Sequence, residues 1–230
     1  MQKSAKRFAG HLMTEYVLAP DACAAAGIAG LFGEMDKGSV RLSEESFLQR
    51  PDMFVCSTPW RLTVVMPSDP LSLLYLTRSI VRLVVSCKIP PRILILSRAP
   101  ANWLMLTMTA LGCPPGMLTH ISVLPSRIEC NALAAFLSGI TTPTVPAVLL
   151  ENPLILTPGE YQAVTDWLSG CSAQSCAERT GRSVKTFYLQ RHSGLCKLAQ
   201  IFPVLTPRRN FSVSNGSASS LRAFISHSLQ

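Results

Sequence analysis

Leu156 to Ala199 reads LTPGEYQAVTDWLSGCSAQSCAERTGRSVKTFYLQRHSGLCKLA, and its punctuation decides the fold of the C-terminal part. Thr157, Pro158 and Glu160 make a helix start: Thr157 caps, Pro158 suits the first helical position, and Glu160 completes a capping box. Tyr161, Val164, Trp167 and Leu168 then recur at helical spacing and are expected to face a small core. Gly170 ends this helix. Ser172 caps a second one, which runs through Cys176 and Ala177 to Thr180. Gly181 supplies a left-handed turn that a β-carbon would disfavour. Ser183 caps a third helix, with Val184, Phe187, Leu195 and Leu198 expected on its inner side.

Three short capped helices, the last basic and polar outside, form the outline of a helix-turn-helix. A major groove about 12 Å wide admits one such helix, and its N-terminal side chains reach base edges. The residues expected to meet double-stranded DNA are Arg182, Ser183, Lys185, Thr186, Tyr188, Leu189, Arg191, His192 and Lys197. Long cations such as Arg191 and Lys197 reach phosphates, which position a protein without reading sequence. The charge pattern agrees. From Arg179 to Gln230 there are eight Lys or Arg and no acid, within a chain of net charge +8. A one-signed block attracts a polyanion. The competing readings are a solvated helix face and a solvated basic tail.

The chain has 230 residues, enough for one large domain or two small ones, and at 48% apolar and 15% charged it is expected to fold. Eight cysteines raise a disulfide or zinc reading, but no Cys-x-x-Cys occurs. Most lie in apolar runs, where cysteine behaves as a small hydrophobe, so reduced thiols are expected. Cys171, Cys176, His192 and Cys196 resemble a metal quartet. The helix reading spreads them over a turn and two helices and explains their neighbours without a metal, so no metal or cofactor is expected. The apolar region from Ile80 to Leu118 is broken by charges and prolines well before the roughly 20 residues a membrane span requires. His11, Glu15 and Asp21 interrupt any secretory signal core. No membrane partner is expected, and the chain is read as cytoplasmic.

Residues 1–140 alternate strand-like and helix-like runs. The strands are His11 to Val17, Leu62 to Met66, Arg92 to Ser97 and Leu118 to Leu124. The helices are Ala22 to Phe32, Leu71 to Val85, Asn102 to Leu111 and Glu129 to Leu137. Such alternation with short connections means a parallel sheet covered by helices. Residues 33–55 carry no clear pattern. Residues 141–155 read as a proline-rich linker, residues 156–202 as the helix-turn-helix domain, and residues 203–230 as a loop followed by a last helix over Ser219 to Leu229.

Gly181-Arg-Ser-Val-Lys-Thr-Phe, then Gln190-Arg191 and Lys197-Leu198, resembles the helix-turn-helix of the LuxR/NarL/FixJ family. Leu156-Thr157-Pro158 and Cys176-Ala177-Glu178-Arg179 are similar to the same family's opening and second helix. The resemblance implies groove-facing roles for Lys185, Tyr188, Leu189 and His192, with Arg191 and Lys197 by the backbone. Three departures stand out, the first being that Gln190 replaces a common His. Gly194 sits mid-helix, at a cost of roughly 1 kcal/mol against Ala, and the stretch from Pro203 to Ser217 separates the family's dimerisation helix from Leu198.

More faintly, residues 1–140 resemble the receiver domain of response regulators, an α/β flavodoxin-like fold. Ser97, Leu111-Gly112-Cys113 and the helix ending at Gly139 fit. Aspartyl phosphorylation needs an acid pair and a third Asp around Mg²⁺, and a Lys after the last strand. Here Asp21 stands alone after the first strand. Asp69 is displaced and reads as a helix cap, and the last strand has His120 and Arg127 nearby but no Lys. This combination is similar to the auxiliary regulators of the RcsA and BglJ type. The resemblance implies a non-enzymatic, phosphorylation-independent transcription regulator that pairs with an RcsB-like response regulator. A homodimeric, ligand-responsive regulator is the alternative. An enzyme or metal protein built on residues 1–140 has little support, because no phosphate loop, nucleophile elbow or clustered His is present.

Overall fold

The computed structural model describes residues 14–35, 37–54, 59–139 and 149–207. Five parallel strands, β1 (Thr14–Leu18), β2 (Ser39–Arg41), β3 (Trp60–Val65), β4 (Arg92–Ser97) and β5 (Ile121–Pro125), pair in the order β2-β1-β3-β4-β5. This is the flavodoxin-like doubly wound order. The helices between them are α1 (Ala22–Glu34), α2 (Glu44–Gln49), α3 (Pro70–Ser86), α4 (Ala101–Ala110), the single turn α5 (Pro115–Leu118) and α6 (Cys130–Leu137).

Period-two alternation in β4 shows how the layers form. Ile93 and Ile95 join the apolar cluster under α3 and α4, while Leu94 and Leu96 join the one under α1 and α6. A strand buried on both faces must be apolar throughout, which is why RILILS shows no polar alternation. The stretch after residue 33, which carries no clear sequence pattern, contains the short edge strand β2 and helix α2. Ser43 caps α2 and Phe47 is fully buried beneath it. Three residues of strand are too few to carry a periodic pattern.

Two expectations are corrected here. Leu118 to His120 do not begin a strand. Pro115 starts the short helix α5, its turn runs to His120, and β5 begins only at Ile121. Cysteine burial is also less general than the apolar runs imply: Cys23, Cys130, Cys171 and Cys196 are exposed, while Cys87, Cys113 and Cys176 are buried. The last helix over Ser219 to Leu229 and the start of the first strand at His11 lie outside the described residues. Among the described residues no helix is long and apolar enough to cross a membrane.

The chain continues into α7 (Pro158–Leu168), α8 (Ala173–Thr180) and α9 (Val184–Leu198), then a 3-10 turn at Pro203–Leu205. Of these, α7 packs on α3 and α9 packs on α7. One contiguous apolar cluster runs from Leu62, Leu73, Leu74 and Ile93 to Leu156, Tyr161, Val164, Leu195, Leu198 and Leu205. α3 is thus covered by the sheet on one side and α7 on another, and ten of its residues are buried. The segment before α7 is held as well. The Asn102 amide brackets Leu150, donating to its carbonyl at 2.8 Å and accepting from its N–H at 3.1 Å.

Candidate nucleic-acid interface

Each helix of the C-terminal unit starts and stops on its own residues. Thr157 and Glu160 form the reciprocal capping box, Ser172 caps α8 and Ser183 caps α9. Gly170 and Gly181 take positive φ, at 83° and 65°, to close α7 and α8. In each case the residue after the glycine donates back into the helix: Cys171 to the Asp166 carbonyl and Arg182 to the Ala177 carbonyl, both at 3.0 Å. The tight turn at Gly181 sets the direction in which α9 leaves α8.

Phe187, Gly194, Leu195 and Leu198 form the buried side of α9. Gly194 has a packing reason. A β-carbon built there would lie 2.6 Å from Val164 Cγ2 and 3.3 Å from Glu160 Cβ. Glycine lets α9 approach α7 closely, so its helix-propensity cost supports an interlock between the helices. Val184 corrects the expected inner side. It is 40% exposed, because it sits in the first turn before α9 reaches the core.

The opposite side carries Lys185, Tyr188, Leu189, His192 and Cys196, all exposed and spaced at helical intervals. Leu189 is 62% exposed and lies beside Tyr188, itself 39% exposed. Arg182 is exposed just before this face, and its guanidinium donates to the Gln190 side chain at 2.9 Å. Ser183 and Thr186 are partly used internally. Ser183 Oγ accepts from the Thr186 N–H at 3.1 Å, and the two hydroxyls lie 2.8 Å apart.

The expected phosphate contacts divide. Arg191 lies 4.6 Å from the Tyr188 ring centroid and 5.7 Å from the Trp167 ring, a stacked cation at the edge of the exposed face. Burial lowers its pKa. Lys197 turns inward. Its ammonium donates to Glu160 Oε2 at 2.7 Å and to the Ile155 carbonyl at 3.0 Å, so it is committed to holding α9 on α7. Burial raises the Glu160 pKa, but hydrogen bonds from Lys197, Ser193 and Thr157 outweigh it and hold the carboxyl at about 2. Lys185 makes no ion pair among the described residues.

Cys171, Cys176, His192 and Cys196, which resemble a metal quartet in sequence, do not come together. Cys171 and Cys176 gather with Asp166, whereas His192 Nε2 sits 3.8 Å from Cys196 Sγ on α9. Arg179 pairs with Asp166 at 2.6 Å, and that bond and charge raise its own pKa.

At the sheet's carboxyl edge the acids serve as caps. Asp21 accepts from the Ala24 N–H at 2.7 Å at the start of α1, and Asp69 accepts from the Ser72 N–H at 2.8 Å at the start of α3. Burial, and then the charge of Asp69, raise the Glu44 pKa. Ser97 Oγ accepts from the Ala99 N–H at 2.9 Å. Among the described residues no three carboxylates converge there.

Sequence reasoning missed the Gly194 interlock, the Glu160–Lys197 pair and the Asp166–Arg179 pair. A glycine in mid-helix was the available sign of the first. The other two span distances in sequence that periodicity does not connect.

No family model and no curated protein matches the chain. Among solved structures it is similar to RcsB from Salmonella enterica serovar Typhimurium bound to promoter rprA, at 14% identity over 84% of this chain and 100% of that chain, with a TM-score of 0.37. It is similar to full-length FixJ from B. japonicum at 15% identity, over 95% of this chain and 98% of that one, with a TM-score of 0.38. An RcsB–DNA complex is similar at 17% identity, over 85% and 100% of the two chains, with a TM-score of 0.44. At such identities and TM-scores these likenesses add no argument of their own.

Proposed function

We propose that this protein is a sequence-specific DNA-binding transcription regulator whose α9 enters the major groove. The carrying observation is the exposed stripe Lys185, Tyr188, Leu189 and His192, on a helix whose other side is locked to α7. A rigid helix with unpaired cationic and apolar side chains facing out suits a groove that offers acceptors and thymine methyl groups. Lys185 and Arg182 supply the entry charge, and Arg191 lies at the backbone edge. Lys197, by contrast, belongs to the fold.

The regulator acts without aspartyl phosphorylation. Asp21 and Asp69 are used as helix caps, and no Lys follows β5 in the sequence near Arg127. Switching then falls to association, and the partner in this reading is an RcsB-like response regulator that contributes the second recognition helix of an asymmetric site.

Genome-wide occupancy in cells with and without that regulator tests the proposal, followed by gel shifts on the recovered sites. Lys185→Ala combined with Tyr188→Ala should abolish specific binding while leaving the fold intact. Unchanged operator affinity in that variant would overturn the assignment of α9. Tight operator binding by the pure protein alone would replace the heterodimer with a homodimer.

A further inference from the structure

We propose that Asp166, Cys171 and Cys176 form a binding site for a divalent metal ion of the zinc class at the joint between α7 and α8. One ligand atom from each, the carboxylate oxygen and two sulfurs, lies within 4.8 Å of the other two. It is the one such group of three among the described residues. In a tetrahedral zinc site, bonds of about 2.3 Å to sulfur and about 2.0 Å to oxygen put ligand atoms about 3.5–3.8 Å apart. Closing that gap takes side-chain rotation, and the exposed Cys171 is free to rotate.

The backbone builds the cluster. Asp166 lies in the last turn of α7, and Gly170 turns the chain back at φ 83°. The Cys171 N–H then donates to the Asp166 carbonyl at 3.0 Å, which returns Cys171 over Asp166. This closure usually brings two apolar side chains together; here it brings a thiol and a carboxylate. Cys176, in the second turn of α8, is buried beneath them. Two sulfurs and one oxygen suit zinc or cobalt, whereas magnesium and calcium take oxygen alone.

Two neighbouring side chains already hold the carboxylate. The Gln162 amide donates to Asp166 Oδ1 at 2.8 Å and orients the carboxylate. Arg179 lies 2.6 Å from Asp166 Oδ2 and 3.9 Å from Cys176 Sγ. Two thiolates and a carboxylate carry three negative charges. A doubly charged metal together with Arg179 neutralises them. Binding releases the two thiol protons to solvent, so affinity rises with pH. A water completes the coordination from the open side at Cys171. The site lies off the exposed stripe of α9, so its test is independent of DNA binding.

The experiment titrates the full-length reduced chain with Co²⁺ alone. The expected result is intense near-ultraviolet thiolate-to-cobalt absorption with visible bands of tetrahedral cobalt, displaced by stoichiometric Zn²⁺. Cys171→Ser, at an exposed position, keeps the fold, removes much of the thiolate absorption and weakens binding by at least about tenfold. Cys196→Ser leaves the spectrum unchanged. The proposal is overturned if the wild-type chain gives no thiolate band, if Cys171→Ser leaves the band and the affinity undiminished, or if the band is lost instead in Cys196→Ser. A chain purified without reductant that is lighter by the two thiol hydrogens, with Cys171 and Cys176 linked, and that takes no cobalt even after reduction, also overturns it.

Discussion

The Tyr161 hydroxyl donates to the main-chain carbonyl of Leu74, and so joins α7 to the helix that lines the sheet. A second link lies beside it: the Tyr75 and Ser169 hydroxyls are 2.7 Å apart. Burial keeps the Tyr161 hydroxyl protonated, so the bond does not titrate in the neutral range. The C-terminal helices are therefore seated on the α/β unit through polar ties set in an apolar seam.

Tyr161→Phe removes the tie and keeps the ring. Leu74 retains its helical hydrogen bond, so no buried carbonyl is orphaned. The expected loss is about 0.5–1.5 kcal/mol in urea unfolding. Proteolysis between the two units should accelerate at the same time. A variant with unchanged stability and unchanged proteolysis would show that the bond does not couple them.

Gly194→Ala should destabilise the protein although alanine is the better helix former. Propensity favours the change by roughly 1 kcal/mol, but the new methyl would meet Val164 Cγ2 at 2.6 Å. Overpacking costs typically about 1–3 kcal/mol. A lowered Tm is expected, and pairing the change with Val164→Ala should recover part of the loss. A raised Tm would mean that α7 and α9 are not interlocked.

Glu160 makes stability depend on acid pH. Its folded pKa of about 2 lies below the ordinary 4.5. The unfolded chain therefore binds the proton first as pH falls. The stabilisation is complete above the ordinary value and is lost between roughly pH 5 and pH 2. Unfolding midpoints measured across that window should fall more steeply in the wild-type protein than in Glu160→Gln. Parallel curves would exclude the Lys197 and Ser193 contacts as the cause.

Lys185 and Lys197 should separate affinity from stability. Lys185→Ala is expected to weaken DNA binding with no change in Tm, because the side chain has no ion pair among the described residues. Lys197→Ala should cost about 1–3 kcal/mol of stability through the lost bonds to Glu160 and Ile155. Its effect on the salt dependence of DNA affinity should be small. Arg191→Ala should weaken binding to all sequences and flatten that dependence. The reverse pattern for the two lysines would place Lys197 on the interface.

Local signals were legible in the sequence, and long-range ones were not. Capping at Thr157, Ser172 and Ser183, the helix end at Gly170 and the left-handed turn at Gly181 depend on neighbours within a few residues, and all of them appear in the structure. The β4 strand was readable because burial on both faces leaves an unbroken apolar run. Strand β2 was not, being three residues long and largely exposed at the sheet edge. On α9, periodicity identified the exposed stripe. It could not tell that Lys197 turns toward Glu160, a partner 37 positions away. Val184 was misplaced because an apolar residue in a first turn need not yet have met the core.

The double coverage of α3 has a mechanical consequence. With Leu74 as fulcrum and the Gly194–Val164 notch preventing slip, α7 and α9 would follow α3 as one lever. A tilt of α3 against the strands would then carry Lys185 and Tyr188 along with α9.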